Sequence, residues 1–199
     1  MQINSLTGRV FLLTTLWSIV ATVVVGLFIS NLYRKSVERG FQDLLRAQLS
    51  SVIGSITVGD QRALSGNPQL GDLRYLQPKT GWYWMVEPLG TYTATPLVSP
   101  SLGESHLPIV PENDTPFDKR YERYYTVNDT FGNRVQVAET QVVLDADGRV
   151  ARFRVTGNTA VVEDDVRGFS YYLYFALFVS GLGGLIINAF ARQTQQKAS

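Results

Sequence analysis

Hydrophobic positions in this chain are gathered into two blocks and then dispersed with a clear period. Between Arg9 and Arg34 lie 24 consecutive uncharged residues, VFLLTTLWSIVATVVVGLFISNLY, and between Arg167 and Arg192 another 24, GFSYYLYFALFVSGLGGLIINAFA. At 1.5 Å per residue each block predicts a helix of roughly 36 Å, enough to cross a hydrocarbon layer of about 30 Å with some tilt. Buried helices of soluble proteins rarely go so long without a charge. The first block is too long for the core of a secretory leader, and no Ala-x-Ala site follows it. Residues 10–33 and 168–191 are therefore predicted to be transmembrane helices, flanked by tails 1–9 and 192–199 and separated by a soluble segment, 34–167.

Each block also has a stripe. Thr14, Ser18, Thr22, Gly26 and Ser30 recur every four residues in the first, and Ala176, Ser180, Gly184 and Asn188 do so in the second. Four-residue spacing lines one side of a helix, and small side chains there let helix backbones approach closely in lipid. Phe169, Tyr171, Tyr172, Tyr174 and Phe175 crowd the start of the second block as an interfacial belt would.

Helical periodicity continues past the first block. Val37, Phe41, Leu44, Leu45, Leu49, Val52, Ile53 and Ile56 keep 3- and 4-residue spacing, with Glu38, Asp43, Arg46 and Gln48 on the other face. Turn chemistry marks Ser65-Gly66-Asn67-Pro68 and Gln77-Pro78-Lys79-Thr80-Gly81, and a short helix is expected between the long helix and the strands. The period then becomes strand-like over Trp82–Val86, Thr91–Thr95, Glu122–Val127, Arg134–Leu144 and Arg149–Thr156. Within Arg134–Leu144 the alternation changes phase between Val135/Val137 and Val142/Leu144, which predicts a bulge. Turns at 128–133 and 145–148 make the last three strands a meander, and Asn158 or Thr159 caps a helix leading to the second block. The predicted fold class is an α+β membrane protein: two spans flanking a long helix packed on an antiparallel sheet of about five strands.

Charge sharpens this organisation. All 17 acidic residues and 15 of the 18 basic ones lie in residues 34–167, which carry a net charge of −2, while the whole chain stands at +1. Nothing here predicts nucleic acid as a partner. Basic residues flank the first span on both sides, so the positive-inside rule does not orient it, and a long loop escapes that rule in any case. The large middle segment is expected to be the exported one. The absence of cysteine excludes disulfides, thiolate nucleophiles and Cys-ligated metals.

No catalytic constellation is visible: there is no phosphate-binding Gly-Lys-Ser/Thr, no His-Glu-x-x-His, and a single histidine, His106, in a loop stopped by Pro108. Two groups of residues invite a role. Glu112, Asp114, Asp118 and Glu122, interleaved with Lys119, Arg120 and Arg123, form a charged loop entering a strand. It is open to three readings: oxygen ligands for a divalent cation, contact with a protein or small ligand, or a plain solvated loop. Replacing all four acids is expected to alter any signal while leaving stability almost unchanged. Trp82 and Trp84 share one face of a strand and serve either as core or as lining of a ligand cavity. Asp145-Ala146-Asp147-Gly148 reads as a hairpin turn.

Gly81-Trp82-Tyr83-Trp84, Ser99-Pro100-Ser101-Leu102 and Arg152-Phe153-Arg154-Val155-Thr156-Gly157-Asn158, set in this order of elements, resemble the periplasmic PDC-like sensor domain of PhoQ- and FeuQ-type bacterial sensor histidine kinases. The resemblance covers nearly the whole chain. It implies a homodimeric inner-membrane signal sensor of a two-component system, with the central domain in the periplasm. That sensor would relay binding of a periplasmic protein or small ligand through two spans. Kinases of this kind continue into a phospho-accepting histidine helix and an ATP-binding domain, whose signatures do not occur here. ATP, Mg²⁺ and a response regulator are expected only through such a domain, and the chain itself is expected to be non-enzymatic with no cofactor or metal. The alternative is a membrane-anchored periplasmic binding or scaffold protein.

Overall fold

The computed structural model describes residues 6–197 and divides them into two compact units, one of residues up to Val37 and from Glu163 onward, the other Glu38–Val162. The expected tails 1–9 and 192–199 lie in part outside the described residues. Helix α1 spans Leu6–Ser55, and short strands β1 (Thr57–Val58) and β2 (Leu64–Ser65) pair behind it. Strands β3 (Trp84–Pro88), β4 (Leu97–Val98), β5 (Glu122–Asn128), β6 (Arg134–Val143) and β7 (Val150–Asn158) precede helix α2, Ala160–Lys197. The five form one antiparallel sheet in the order β4-β3-β7-β6-β5. The architecture is α+β, as the periodicity predicts.

In the sheet unit, the C-terminal part of α1 presents Phe41, Leu45, Leu49 and Val52, and Ile56 follows just beyond its end, all buried, at 4-, 4-, 3- and 4-residue steps. They cover the sheet face carrying Trp84, Val86, Ala138, Phe153 and Val155, which the register places side by side. Gly157 is the point of closest approach: a Cβ there would lie 2.6 Å from Phe41 Cζ and 3.0 Å from Trp82 Cζ3. The opposite face has its own core of Tyr83, Met85, Tyr125, Val135 and Val137, roofed by Leu102 and Leu107 from the long connection between β4 and β5. Ser99 and Ser101 fasten that connection, with the Trp84 amide donating to Ser99 Oγ at 3.2 Å and Ser101 Oγ donating to the Trp82 carbonyl at 2.6 Å.

Three local expectations change. The pairing of β6 with both neighbours runs without interruption, so there is no bulge. Ala138, Glu139 and Thr140 are consecutively buried because both faces of the sheet are covered there, and alternation therefore breaks without any slip. Residues 91–95 are not a strand; pairing with β3 falls instead to Leu97–Val98, after Pro96. The short helix becomes two single 3₁₀ turns, Asp60–Arg62 and Leu73–Tyr75. Asn158 Oδ1 accepts the Ala160 amide at 2.9 Å and opens α2, while Thr159 donates to the Arg134 carbonyl.

In the other unit, α1 and α2 lie side by side in opposite directions. Tyr33 stacks on Phe169 with centroids 3.8 Å apart, Gly26 is packed against Leu177, and Arg192 sits over the Phe11 ring at 3.9 Å. Each helix contains a stretch long and apolar enough to cross a membrane. Only 6% of that stretch in α1 and none of it in α2 is buried by the chain itself, unlike the core helix of a soluble protein.

Candidate functional site

The roofed face of the sheet holds a band of charge beside its apolar core. Along β6, Val135 and Val137 point into the core and Glu139 takes the next place on that face, fully buried. The register sets Arg123 of β5 on one side of it and Arg154 of β7 on the other. One residue pair further along, Arg152 faces Glu87 of β3.

The contacts are close. Arg123 Nε donates to Glu139 Oε2 at 2.6 Å and the Tyr125 hydroxyl donates to Oε1 at 2.7 Å, so both carboxylate oxygens are engaged. Burial, followed by this bond to Glu139, pushes the Tyr125 hydroxyl pKa well above its usual value. Glu87 accepts from Arg154 Nη2 and pairs with Arg152 Nη1 at 3.5 Å. The arginines also reach the connection above them: Arg154 Nη1 donates to the carbonyls of Leu107 and Pro108 at 3.4 and 3.3 Å, and Arg123 Nη1 to that of Thr115 at 3.2 Å. Guanidinium groups thus pin the segment 107–115 to the sheet, and the Arg123 group lies 5.2 Å from the Phe117 ring. Buried ion pairs gain little net stability over apolar side chains but fix one arrangement, because a lone charge left there is costly.

The charged loop sits at the rim of this band, and its four acids do not converge. Glu112, Asp114, Asp118, Lys119 and Arg120 are exposed. The Asp118 carboxylate is turned onto its own loop, accepting the amides of Glu122 at 3.0 Å and Arg120 at 2.8 Å; these bonds, the first foremost, hold its pKa below the usual range. Glu122 points to the α1 side of the sheet, where Arg46 Nε and the Tyr124 hydroxyl each donate to it at 2.9 Å. Among the described residues no three His, Asp or Glu side chains gather as a cation site. The loop ends in Tyr121, at φ 61° and stacked on Phe117 with centroids 4.4 Å apart.

Trp82 and Trp84 are both buried on the α1 side. Trp82 meets Phe41 and Tyr75 edge-on at 5.7 and 5.8 Å and carries the Arg74 guanidinium 3.6 Å above its ring. Tyr83 points the other way and donates to Asp129 at 2.7 Å. In the helix pair, Thr14, Ser18, Thr22, Ser180, Gly184 and Asn188 line a groove of about 1150 Å³. Gly26 lies on the contact between the helices instead, Ser30 has a buried hydroxyl with no hydrogen-bond partner among the described residues, and Ala176 is exposed outside the groove.

No protein-family model matches this chain, and comparison with curated proteins and with solved structures gave no match. What the domain does must therefore be argued from its own residues. The buried band was not singled out in the sequence, although a signal exists. Arg152 and Arg154 alternate with Phe153 and Val155, and Glu139 follows Val135 and Val137 in phase, so ionisable residues stand at positions that the strand period assigns to a buried face.

Proposed function

We propose that this chain is a membrane-anchored signal sensor whose exported domain, Glu38–Val162, receives a signal on the loop-roofed face of its sheet. The observation that carries the reading is the buried band Arg123–Glu139–Arg154–Glu87–Arg152. It ties the segment 107–115 to the centre of the sheet through charge, so whatever engages that segment has a direct connection to the strands. Support comes also from α1, a single helix whose first part is apolar and exposed and whose last part is core of the sheet domain. Two of the motifs that resemble the PDC-like domains of PhoQ- and FeuQ-type kinases have a structural role here. The two serines bolt the β3 backbone, Gly157 admits Phe41, and Asn158 starts α2. In this reading the domain is periplasmic, the spans lie in the inner membrane of a bacterium, and the working form is a homodimer that hands the signal to a cytoplasmic kinase core.

The test has two readouts. Alkaline phosphatase inserted within residues 112–117 is expected to be active, and the same enzyme fused after residue 197 inactive; the reverse pattern overturns the topology. A chimera joining the full chain to a histidine-kinase core is expected to drive a reporter whose output changes when Arg123 is replaced by Met. An output indifferent to that change and to every loop substitution, with topology as expected, points to the anchored binding or scaffold protein.

A further inference from the structure

The side chain of Asn158 has two engagements. Its Oδ1 accepts the Ala160 amide at 2.9 Å and so caps α2, while its Nδ2 donates to the Thr80 carbonyl at 3.1 Å and to Asn133 Oδ1 at 3.3 Å. Asn133 in turn donates from Nδ2 to Asp129 Oδ2 at 2.8 Å and to the Lys79 carbonyl at 3.0 Å. The buried Asp129 carboxylate also takes the Tyr83 hydroxyl at 2.7 Å and the amides of Phe131 and Asn133 at 2.9 and 2.8 Å. An unbroken line of side-chain bonds therefore runs from Tyr83 to the first turn of α2, and its polarity is fixed. An ionised carboxylate only accepts, so Asn133 presents its amino group to Asp129 and its oxygen to Asn158, which leaves the Asn158 oxygen for the helix.

The far end of this line lies under the roof. Tyr83 is fully buried in the cluster that Leu102 and Leu107 complete, and the connection carrying them also meets the Asp129–Asn133 turn directly, where Thr130 Oγ1 donates to Ser105 Oγ at 3.2 Å. At the near end the Asn158 side chain has its place because Gly81 lacks one: a Cβ on Gly81, whose φ is +83°, would lie 2.9 Å from both Cβ and Nδ2 of Asn158. We propose that Tyr83, Asp129, Asn133 and Asn158 form a latch that keeps the first turn of α2 wound only while the roof is closed over Tyr83. When the roof lifts and Tyr83 shifts, Asp129 loses a donor, Asn133 and Asn158 are released to turn, and the Ala160 amide loses its acceptor. Helix α2, which carries the second apolar stretch, then frays from its start. Adjacent bonds need not be coupled, and the latch requires that its two ends respond to each other. As a step in signalling it rests on the function proposed above; as a coupling within the sheet domain it does not.

The experiment is hydrogen–deuterium exchange of the full chain in phosphatidylcholine nanodiscs, read by mass spectrometry. Exchange at a helix start proceeds by local opening, which a loss of global stability does not by itself accelerate. Tyr83→Phe removes only the hydroxyl at the far end and is expected to speed exchange of amides 160–163 about threefold or more, with the strand amides of β6 and β7 changed less. Asn158→Asp keeps an oxygen for the Ala160 amide but loses both donations. It is expected to leave the helix start protected and to make that protection indifferent to Tyr83→Phe. Asn158→Ala removes the cap outright and sets the frayed limit. Should Tyr83→Phe fail to fold, Asn133→Ala, at a half-buried turn position, carries the same expectation. Unchanged exchange of 160–163 in Tyr83→Phe or Asn133→Ala overturns the latch, as does equal acceleration by Tyr83→Phe with and without Asn158→Asp. In the kinase chimera Asn158→Asp is expected to change the reporter output. Coupling seen by exchange beside an unchanged reporter removes the latch from signalling, and a response to Arg123→Met in the same chimera then leaves the sensor reading standing.

Discussion

At the scale of single residues, much of this domain turns on atoms that leave no room or no water for an alternative. Gly157 sits on the α1 face of β7, and the added methyl of Gly157→Ala would need Phe41 or Trp82 to move, with 2.6 Å to the nearest ring carbon. Both rings are packed in the core, so overpacking is expected to lower stability by about 1–3 kcal/mol in denaturant unfolding. Adding Phe41→Leu should recover part of that loss, giving a less-than-additive double variant. Asp129 is a second such residue. Burial raises its pKa, but hydrogen bonds from Asn133, the Tyr83 hydroxyl and the amides of Asn133 and Phe131 outweigh it, leaving the carboxyl below its usual range. Burial and the bond to Asp129 push Tyr83 up to about 12. An acid that holds its proton less tightly when folded contributes stability that is complete above its unfolded pKa of about 3.9 and lost as pH falls through the lower folded value. Urea unfolding followed across that acid range is expected to show a fall in stability that Asp129→Asn makes shallower. An identical slope in the variant would mean that other carboxylates carry the acid response.

At the scale of elements, the charged loop divides in a way its composition conceals. Replacing Glu112 and Asp114 with neutral analogues is expected to change stability by no more than about 0.5 kcal/mol, since both are exposed. Glu122→Gln is expected to cost about 1 kcal/mol or more, because Arg46 and Tyr124 both donate to that carboxylate and join α1 to β5 through it. Thermal unfolding of the two variants side by side checks the contrast, and equal melting temperatures would refute it. The four acids look equivalent in sequence, yet strand parity sends Glu122 to one face and Arg123 to the other, and only tertiary packing reveals which face is dry. The same reason explains what was legible elsewhere. Helix α1, strands β5 to β7 and their turns were readable because each has a solvated side or a turn signal that sets the period. The bulge expected in β6 was not there, because a strand covered on both faces loses its alternation. Strand β4 is not legible in the sequence because two residues paired only through β3 carry no period at all. The arginine band is hidden in the sequence because charge in a strand reads as solvent-facing until its cross-strand partners are known.

At the scale of the whole molecule, the glycines of the two small-residue stripes prove to be unlike. Sequence alone treats Gly26 and Gly184 as equivalent points of close packing. In the helix pair, a Cβ on Gly26 would lie 2.9 Å from Leu177 Cδ1 and 3.7 Å from Tyr174 Cε1, whereas one on Gly184 meets nothing within 4 Å. Gly26 therefore belongs to the contact between α1 and α2 of one chain, and Gly184 to the groove that Thr14, Ser18, Thr22, Ser180 and Asn188 share with it. In lipid, where no hydrophobic force drives helices together, such a groove gains by close packing and interhelical hydrogen bonds with another helix. Gly26→Leu is expected to separate the two helices of a single chain and so to weaken crosslinking by a bifunctional maleimide between Cys substituted at Phe11 and at Arg192, whose native side chains meet across the pair. Gly184→Leu is expected to leave that intrachain crosslink intact and to reduce crosslinking between chains through a Cys at Ser18 or Asn188. The background is clean, since the chain has no cysteine of its own. Neither change adds charge, so insertion into the membrane should persist in both. If Gly184→Leu leaves interchain crosslinks unchanged while Gly26→Leu abolishes the intrachain ones, the groove is not a place where two chains meet.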